Sequence, residues 1–99
     1  MIPYSKVEIQ EQIQKNCPDW SYDGQDIFRE YTFPNFVTCI QFVNSIGIVA
    51  ESINHHPNIF ISWGRVKVNV HTHSIKGIGV LDFKLATELD KYYFFQTKG

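Results

Sequence analysis

The sequence predicts an α+β fold, in which a four-stranded antiparallel sheet carries three helices packed on one face in the order α-β-β-α-β-β-α. Two observations support this prediction. Two pairs of short segments show the alternating spacing of strands, and a tight turn joins each pair. Three other segments show the three- or four-residue apolar spacing of helices. With 99 residues, of which 43% are apolar, we expect one domain over residues 1–99 with a single core.

The first helix begins after Ser5, which forms a capping box with Glu8, and it ends before Pro18 because proline cannot continue a helix. Two strands, Trp20 to Tyr22 and Ile27 to Phe33, then flank a turn at Asp23-Gly24. In the second strand, the more apolar alternate set is expected to face the core; it comprises Ile27, Arg29, Tyr31 and Phe33.

The longest helix is predicted over about Phe36 to Ile53, with Asn35 as its N-cap. We expect its core stripe to contain Phe36, Ile40, Val43, Gly47, Ala50 and Asn54, widened by Ile46, Val49 and Ile53. The strands Ile59 to Trp63 and Val66 to His73 follow. A last helix runs from about Leu81 to Phe94, with Leu81, Leu85, Leu89 and Tyr92 expected on its core side.

Composition argues against several classes of partner and location. A net charge of −1 gives no basic surface for nucleic acid or an anionic membrane. Cys17 and Cys39 have no CxxC spacing and are expected to be buried thiols in a reducing compartment. The first residues are not expected to form a secretory signal, and no apolar run is expected to approach membrane-spanning length. These observations favour a cytoplasmic protein.

The histidines are the main candidates for chemistry, because all four lie between residues 55 and 73. Imidazole exchanges protons near neutral pH and binds metals, so grouped histidines indicate one of these two roles. Glu51 precedes the adjacent pair His55-His56, and His73 and Asp82 follow it.

The order of these residues resembles the signature of the pterin-4a-carbinolamine dehydratase family, also called dimerization cofactors of a homeodomain transcription factor. The matching positions are Glu51, His55, His56, Pro57, Trp63, His73 and Asp82. The Trp20 hairpin, the segment Phe33-Pro-Asn-Phe36 and the valine-rich fourth strand extend the resemblance to nearly the whole chain.

The resemblance implies an enzyme that removes water from a 4a-hydroxytetrahydropterin, giving quinonoid dihydropterin, in recycling of a tetrahydrobiopterin-type cofactor. It implies that the pterin is the substrate, that no cofactor or metal is required, and that an aromatic amino-acid hydroxylase supplies the substrate. His55, His56 and His73 would be the acid and base groups, sharing one cavity. Glu51, Asp82, Trp20 and Pro57 would orient the imidazoles or hold the pterin. Which histidine is acid and which is base stays open.

Other readings of the same residues remain. Asp82 also suits a helix N-terminus, Trp63 is more typical of packing than of ligand contact, and His71 lies outside the signature as a polar strand residue. The four histidines with Glu51 could instead hold zinc or iron, although the spacing is unusual for a metal site. A non-catalytic dimerisation module is the other alternative. With either function, we expect a homodimer or homotetramer.

Overall fold

A computed structural model describes residues 2–98 and confirms the predicted α+β fold and the order of its elements. The elements are α1 (Lys6–Asn16), β1 (Ser21–Tyr22), β2 (Ile27–Thr32), α2 (Phe36–Ile53), β3 (Asn58–Ser62), β4 (Arg65–Val70), a 3₁₀ turn (His73–Ile75) and α3 (Val80–Lys98).

The sheet joins two hairpins through their second strands, in the order β1-β2-β4-β3 with every pair antiparallel. The β2–β4 pairing runs from Ile27 opposite Val70 to Thr32 opposite Arg65. This arrangement leaves β1 and β3 at the edges, and it places the end of β4 beside the β1–β2 turn. The histidines that follow β4 therefore lie close to that turn.

Alternation in the two central strands sets the core face of the sheet. Val66, Val68 and Val70 are buried on β4, and the predicted core set of β2 is confirmed by the buried side chains of Ile27 and Tyr31. β4 is shorter than expected, because the chain leaves the sheet after Val70 and His73 opens the 3₁₀ turn instead of ending a strand.

The expected core stripe of α2 is wrong in part. Four residues of the expected stripe are exposed: Phe36, Ile40, Gly47 and Asn54. The buried residues of α2 are Cys39, Phe42, Ile46, Val49 and Ala50. The helix is apolar around most of its circumference, so the spacing of apolar residues did not single out one face.

The expectation that no apolar run has membrane-spanning length is also wrong. α2 is 18 residues long, has a mean hydropathy of 1.5 and carries a single charged residue, Glu51. Core helices of soluble proteins pass the same test, and one face of α2 packs against β3, β4 and α3.

The N-terminal segment before α1 contacts the loop between the 3₁₀ turn and α3. The predicted capping box of α1 is present: the Ser5 hydroxyl accepts from the Glu8 N–H, and the Glu8 carboxylate accepts from the Ser5 N–H. Just before it, the Tyr4 N–H donates to the Ile78 carbonyl at 2.8 Å. A Cβ on Gly77 would lie 2.9 Å from the Pro3 Cβ, so glycine is required at this close approach.

Candidate functional site

The four histidines are divided among three carboxylates. Thr72 and Asp82 lie with His55, while the neighbours of Thr72 in the chain, His71 and His73, contact each other instead. Thr72 is extended, and successive side chains of an extended chain point in opposite directions. In the segment after β4, the Thr72 side chain therefore faces the helices, and the side chains of His71 and His73 face the opposite side.

His55 is bound to a carboxylate inside the protein. Its Nε2 lies 2.6 Å from Oδ1 of Asp82, which is fully buried. The second oxygen, Oδ2, accepts from the Thr72 hydroxyl at 2.6 Å and from the Gly79 N–H at 2.8 Å. The bond to Gly79 also caps the start of α3, so Asp82 has both the helix-terminus role and the imidazole contact that its position suggested.

The end of α2 sets where the adjacent histidines point. Asn54 adopts the left-handed conformation, with φ 49° and ψ 47°, and ends the helix. The His55 N–H still donates to the Ala50 carbonyl, which holds the first residue after the cap against the helix. This turn directs His55 inward to Asp82 and His56 back toward Glu51.

His56 forms an exposed pair with Glu51. The His56 Nε2 is hydrogen-bonded to the Glu51 carboxylate, and more than half of each side chain is accessible to solvent. Glu51 precedes His56 by five residues and lies in the last turn of α2. Glu51 is therefore in contact with one of the predicted histidines, and the His56 ring is accessible to solvent.

His71 and His73 form the third group, together with Asp26. Nδ1 of His71 lies 2.7 Å from Oδ1 of Asp26, and Nε2 of His71 lies 3.1 Å from Nδ1 of His73. Oδ2 of Asp26 accepts from the Asn69 side-chain amide at 2.7 Å. We call this arrangement the Asp26–His71–His73 chain.

A cavity of about 310 Å³ opens beside this chain. Its volume is at the lower end of the range for small-molecule sites, about 300–1,000 Å³. The β1–β2 turn forms one wall and the loop after β4 forms the other. Its lining residues are Tyr22, Gly24, Gln25, His71, His73, Lys76 and Gly77.

The expectation that three imidazoles share one cavity needs correction. His73 lines the cavity, but its imidazole neighbour there is His71, while His55 and His56 are outside the lining residues. The physical reason is the alternation around Thr72: His55 contacts the Thr72 side of the chain, and His73 lies on the other side. The alternative reading as a zinc or iron site is not supported for the same reason, since the four rings do not converge within residues 2–98.

Trp20 is in the core, outside the cavity lining. It is 2% exposed, and its indole N–H donates to Oδ1 of Asp90 at 3.0 Å. The same oxygen accepts from Arg29 at 2.8 Å and from the Tyr31 hydroxyl at 2.6 Å. Trp20 thus links the start of the β1–β2 hairpin to α3. Among the described residues, it is not one of those that line the cavity.

Burial near Asp90 changes the ionisation of two groups. Burial raises the pKa of Tyr31 far above its ordinary value, and the Asp90 carboxylate raises it further, so its hydroxyl stays a donor. Burial, followed by the charge of Asp90, raises the pKa of Cys17 to about 12. Both effects indicate a dry, structural cluster.

The remaining signature residues lie at the ends of β3. Pro57 is half-buried immediately before β3 begins, where it follows the two histidines. Trp63 is 71% exposed in the β3–β4 turn, so the expected packing role is not fulfilled within one copy of the chain.

Sequence analysis did not identify Asp26, His71, Tyr22 and Lys76 as part of the site. His71 could have been predicted as a site residue, because strand alternation places it on the same face as His73. Asp26 could be recognised only once β2 was paired with β4, which brings it beside Asn69 and His71.

Comparisons of the sequence with a family model and with known proteins all point to the same family. A family model described as pterin 4 alpha carbinolamine dehydratase matches residues 2–92. A protein of Rubrobacter xylanophilus is 37% identical over 91 residues, covering 91% of this chain and 85% of its own length. A protein of Hahella chejuensis is 36% identical, covering 84% and 78%. The name assigned to both is pterin-4-alpha-carbinolamine dehydratase.

Solved structures show the same fold. A transcriptional coactivator/pterin dehydratase from Brucella melitensis is 31% identical with a TM-score of 0.83, over 90% of this chain and 96% of that one. A pterin dehydratase-like protein, described as a RuBisCO assembly factor in the alpha-carboxysome, has a TM-score of 0.62 over 75% of this chain and 86% of its own. At 16% identity, the second likeness concerns the fold alone.

Proposed function

Since the chain belongs to the pterin-4a-carbinolamine dehydratase family, we propose that it removes water from a 4a-hydroxytetrahydropterin to give quinonoid dihydropterin by histidine acid/base catalysis. The observation that supports this proposal most is the cavity of about 310 Å³ with the His73 imidazole in its wall. The cavity is suited to a small bicyclic ligand, and a ring nitrogen there could exchange a proton with it.

The reaction needs proton transfer at two atoms of the substrate. The 4a-hydroxyl leaves as water when an acid protonates it, and N5 loses its proton as the C=N bond forms. An acid and a base held beside the pterin each typically contribute about 10²–10⁴-fold. The N5 lone pair expels the hydroxyl, so this chemistry requires neither a redox cofactor nor a metal.

The signature residues have distinct places in this proposal. His73 faces the ligand directly. His56, oriented by Glu51, presents an exposed ring at the end of α2, and His55 is held by the buried Asp82 behind Thr72. Pro57 fixes the turn that carries the two adjacent histidines. In the cell, an aromatic amino-acid hydroxylase would supply the carbinolamine, and dehydration in the cytoplasm would return the pterin to its recycling path.

The test is dehydration of 4a-hydroxytetrahydropterin, followed by stopped-flow absorbance with the uncatalysed rate subtracted. His73→Ala should lower the catalysed rate by about 10²-fold or more, because it removes a proton-transfer group. Ser74→Ala is a matched control, since Ser74 is exposed in the same 3₁₀ turn and does not line the cavity.

A His73→Ala protein with wild-type activity and an unchanged circular dichroism spectrum would refute the role of His73. A wild-type protein that does not accelerate the reaction would refute the dehydratase proposal itself.

We also propose that the chain self-associates, as a homodimer or homotetramer, through the β3 edge. β3 is an edge strand whose backbone groups are unpaired on one side, and such edges readily pair with another copy. Phe60 and Ile61 are exposed on it at 64% and 38%, and Trp63 follows in the adjoining turn. Phe60 and Ile61 lie on opposite faces of the sheet, so the β3 edge exposes apolar surface on both faces, as expected of an edge that pairs with another copy.

Sedimentation velocity at micromolar concentration tests self-association. We expect a species larger than the monomer for the native chain and a monomer for Phe60→Glu, which places a charge on the exposed edge. The new carboxylate would lie opposite Lys67 of β4, so the sheet should tolerate it. Val7→Glu on α1 is the control, with similar exposure at 68%. A native monomer would contradict this proposal.

A further inference from the structure

We propose that His71 and Asp26 are positioning residues that hold His73 in the tautomer whose Nε2 lone pair is presented to the cavity, which makes His73 the general base that accepts the N5 proton. This inference rests on the proposed dehydratase function for its chemical meaning. The tautomer itself is a property of the free protein, and it can be tested without a reaction.

Asp26 determines which ring nitrogen of His71 is protonated. Oδ1 of Asp26 lies 2.7 Å from Nδ1 of His71, and Oδ2 is held by the Asn69 amide. A carboxylate accepts hydrogen bonds, so the proton of this contact is on Nδ1 of His71. A neutral imidazole with a proton on Nδ1 has a lone pair on Nε2, which is therefore an acceptor.

The tautomer of His71 determines which ring nitrogen of His73 is protonated. Nε2 of His71 lies 3.1 Å from Nδ1 of His73, and the two rings meet edge to face with centroids 4.2 Å apart. Because the His71 nitrogen accepts, Nδ1 of His73 must donate. The proton of the neutral His73 ring is thus on Nδ1, and the lone pair is on Nε2, the ring nitrogen left for the cavity.

The other two signature histidines have the opposite orientation. His55 and His56 each direct Nε2 at a carboxylate, Asp82 and Glu51 respectively, so their Nε2 carries the proton. His73 is the signature histidine whose Nδ1 is engaged and whose Nε2 is left free by the chain of contacts. The hydrogen bond made by one ring nitrogen fixes which nitrogen carries the proton, and this sets the chemical role of a histidine.

In the proposed reaction, His73 accepts the N5 proton while the 4a-hydroxyl leaves as water. The N5–H bond of the carbinolamine breaks and its proton passes to Nε2 of His73. The electron pair left on N5 forms the C4a=N5 double bond, the C4a–O bond breaks, and the hydroxyl leaves with one proton from an acid as water. His73 becomes an imidazolium, whose Nδ1–H still donates to His71. The Asp26 carboxylate at the end of the chain stabilises that positive charge, as the carboxylate of a catalytic triad does.

Two replacements of His71 separate positioning from packing. His71→Leu fills much of the same space but offers no acceptor to His73. His71→Gln has an amide oxygen that can accept from Nδ1 of His73. We expect His71→Leu to lower kcat by about 10-fold or more, because general-base catalysis typically contributes about 10²–10⁴-fold. KM should change little, and His71→Gln should restore most of kcat. Lys67→Leu, on the same face of β4 and outside the cavity lining, is the matched control.

The tautomers are read directly by two-bond ¹H–¹⁵N correlation spectra of the neutral rings. In the native protein, we expect Nδ1–H for both His71 and His73, and Nε2–H for His55 and His56. In His71→Leu, His73 should lose its Nδ1–H preference while the His55 signals stay in place.

Each outcome bears on the inference. An Nε2–H form of His73 in the native protein would overturn it, as would native kcat in His71→Leu or equal losses of kcat in the Leu and Gln variants. If His71→Leu does not fold, the native tautomer still decides. If the native protein lacks dehydratase activity, the proposed function fails, whereas the spectra still report on the Asp26–His71–His73 chain.

Discussion

Asp82 and Asp26 each bind an imidazole, but they differ in their other contacts. Asp82 is fully buried and has three donors, two of which, Thr72 and Gly79, belong to the surrounding fold. Asp26 is 9% exposed and does not line the cavity, but its imidazole partner, His71, lines the cavity and is hydrogen-bonded to His73. Asp82 therefore binds an imidazole and two groups of the surrounding fold, while Asp26 is connected to the cavity through His71.

Replacing Asp82 with alanine should destabilise the protein by about 3 kcal/mol, because the buried Thr72 hydroxyl, Gly79 N–H and His55 ring lose their acceptor. Urea denaturation followed by tryptophan fluorescence measures the change. Asp19→Ala serves as the control, because the Asp19 side chain is exposed and should change stability by less than about 0.5 kcal/mol. Matching midpoints for the two variants would contradict the structural role of Asp82.

At the level of single residues, the sequence identified two of the three carboxylates that contact imidazoles, but not which imidazole each contacts. Glu51 with His56 and Asp82 with His55 are in contact, and both carboxylates were named from the resemblance. The cavity itself could not be foreseen, because it depends on the β2–β4 pairing that brings the β1–β2 turn to the loop after β4.

Among the elements, those with local start and stop signals were predicted best. α1 and α2 begin and end where their caps and breakers indicated, because a cap is decided by residues within one turn. α3 extends four residues past the expected end at Phe94, where the sequence has no glycine or proline before Gly99 to stop it. The buried face of α2 was missed because packing partners, which are distant in sequence, select it.

The capping box of α1 allows a test at the level of one element. Ser5→Ala should cost about 1 kcal/mol, because the Glu8 N–H loses its acceptor in the first turn. Thermal unfolding by circular dichroism measures the effect, with Ser21→Ala as the comparison for loss of an exposed serine hydroxyl outside a cap. An unchanged melting temperature in Ser5→Ala would indicate that the box contributes nothing.

At the scale of the whole molecule, the cluster around Asp90 joins the two layers. Its three donors come from the β1–β2 hairpin, and Asp90 itself is on α3. The same cluster surrounds Cys17, whose thiol is buried and has its pKa raised to about 12. The ionisation of one thiol is therefore linked to the folding of the entire chain.

The sign of this link follows from the proton count. Above pH 9, the ordinary pKa of the thiol, the unfolded chain loses the Cys17 proton while the folded chain keeps it up to about pH 12. Stability from this group is complete below pH 9 and falls as pH rises toward 12. In Cys17→Ala, the free energy of unfolding should fall less steeply over this range than in the native chain.

Urea denaturation at several alkaline pH values checks this prediction. The difference between the two curves isolates Cys17 from Tyr31, whose raised pKa acts in the same direction and is present in both proteins. Parallel curves would show that the thiol does not contribute.

The contact between Pro3 and Gly77 has a practical consequence for handling the protein. Pro3 lies against a glycine of the cavity wall, and the next residue is hydrogen-bonded to Ile78. Truncations that remove the first four positions would remove both contacts and so disturb the loop bearing Lys76. Ligand-binding assays therefore require a chain that keeps Pro3 and Tyr4 in place, because these two residues support the loop at one wall of the binding site.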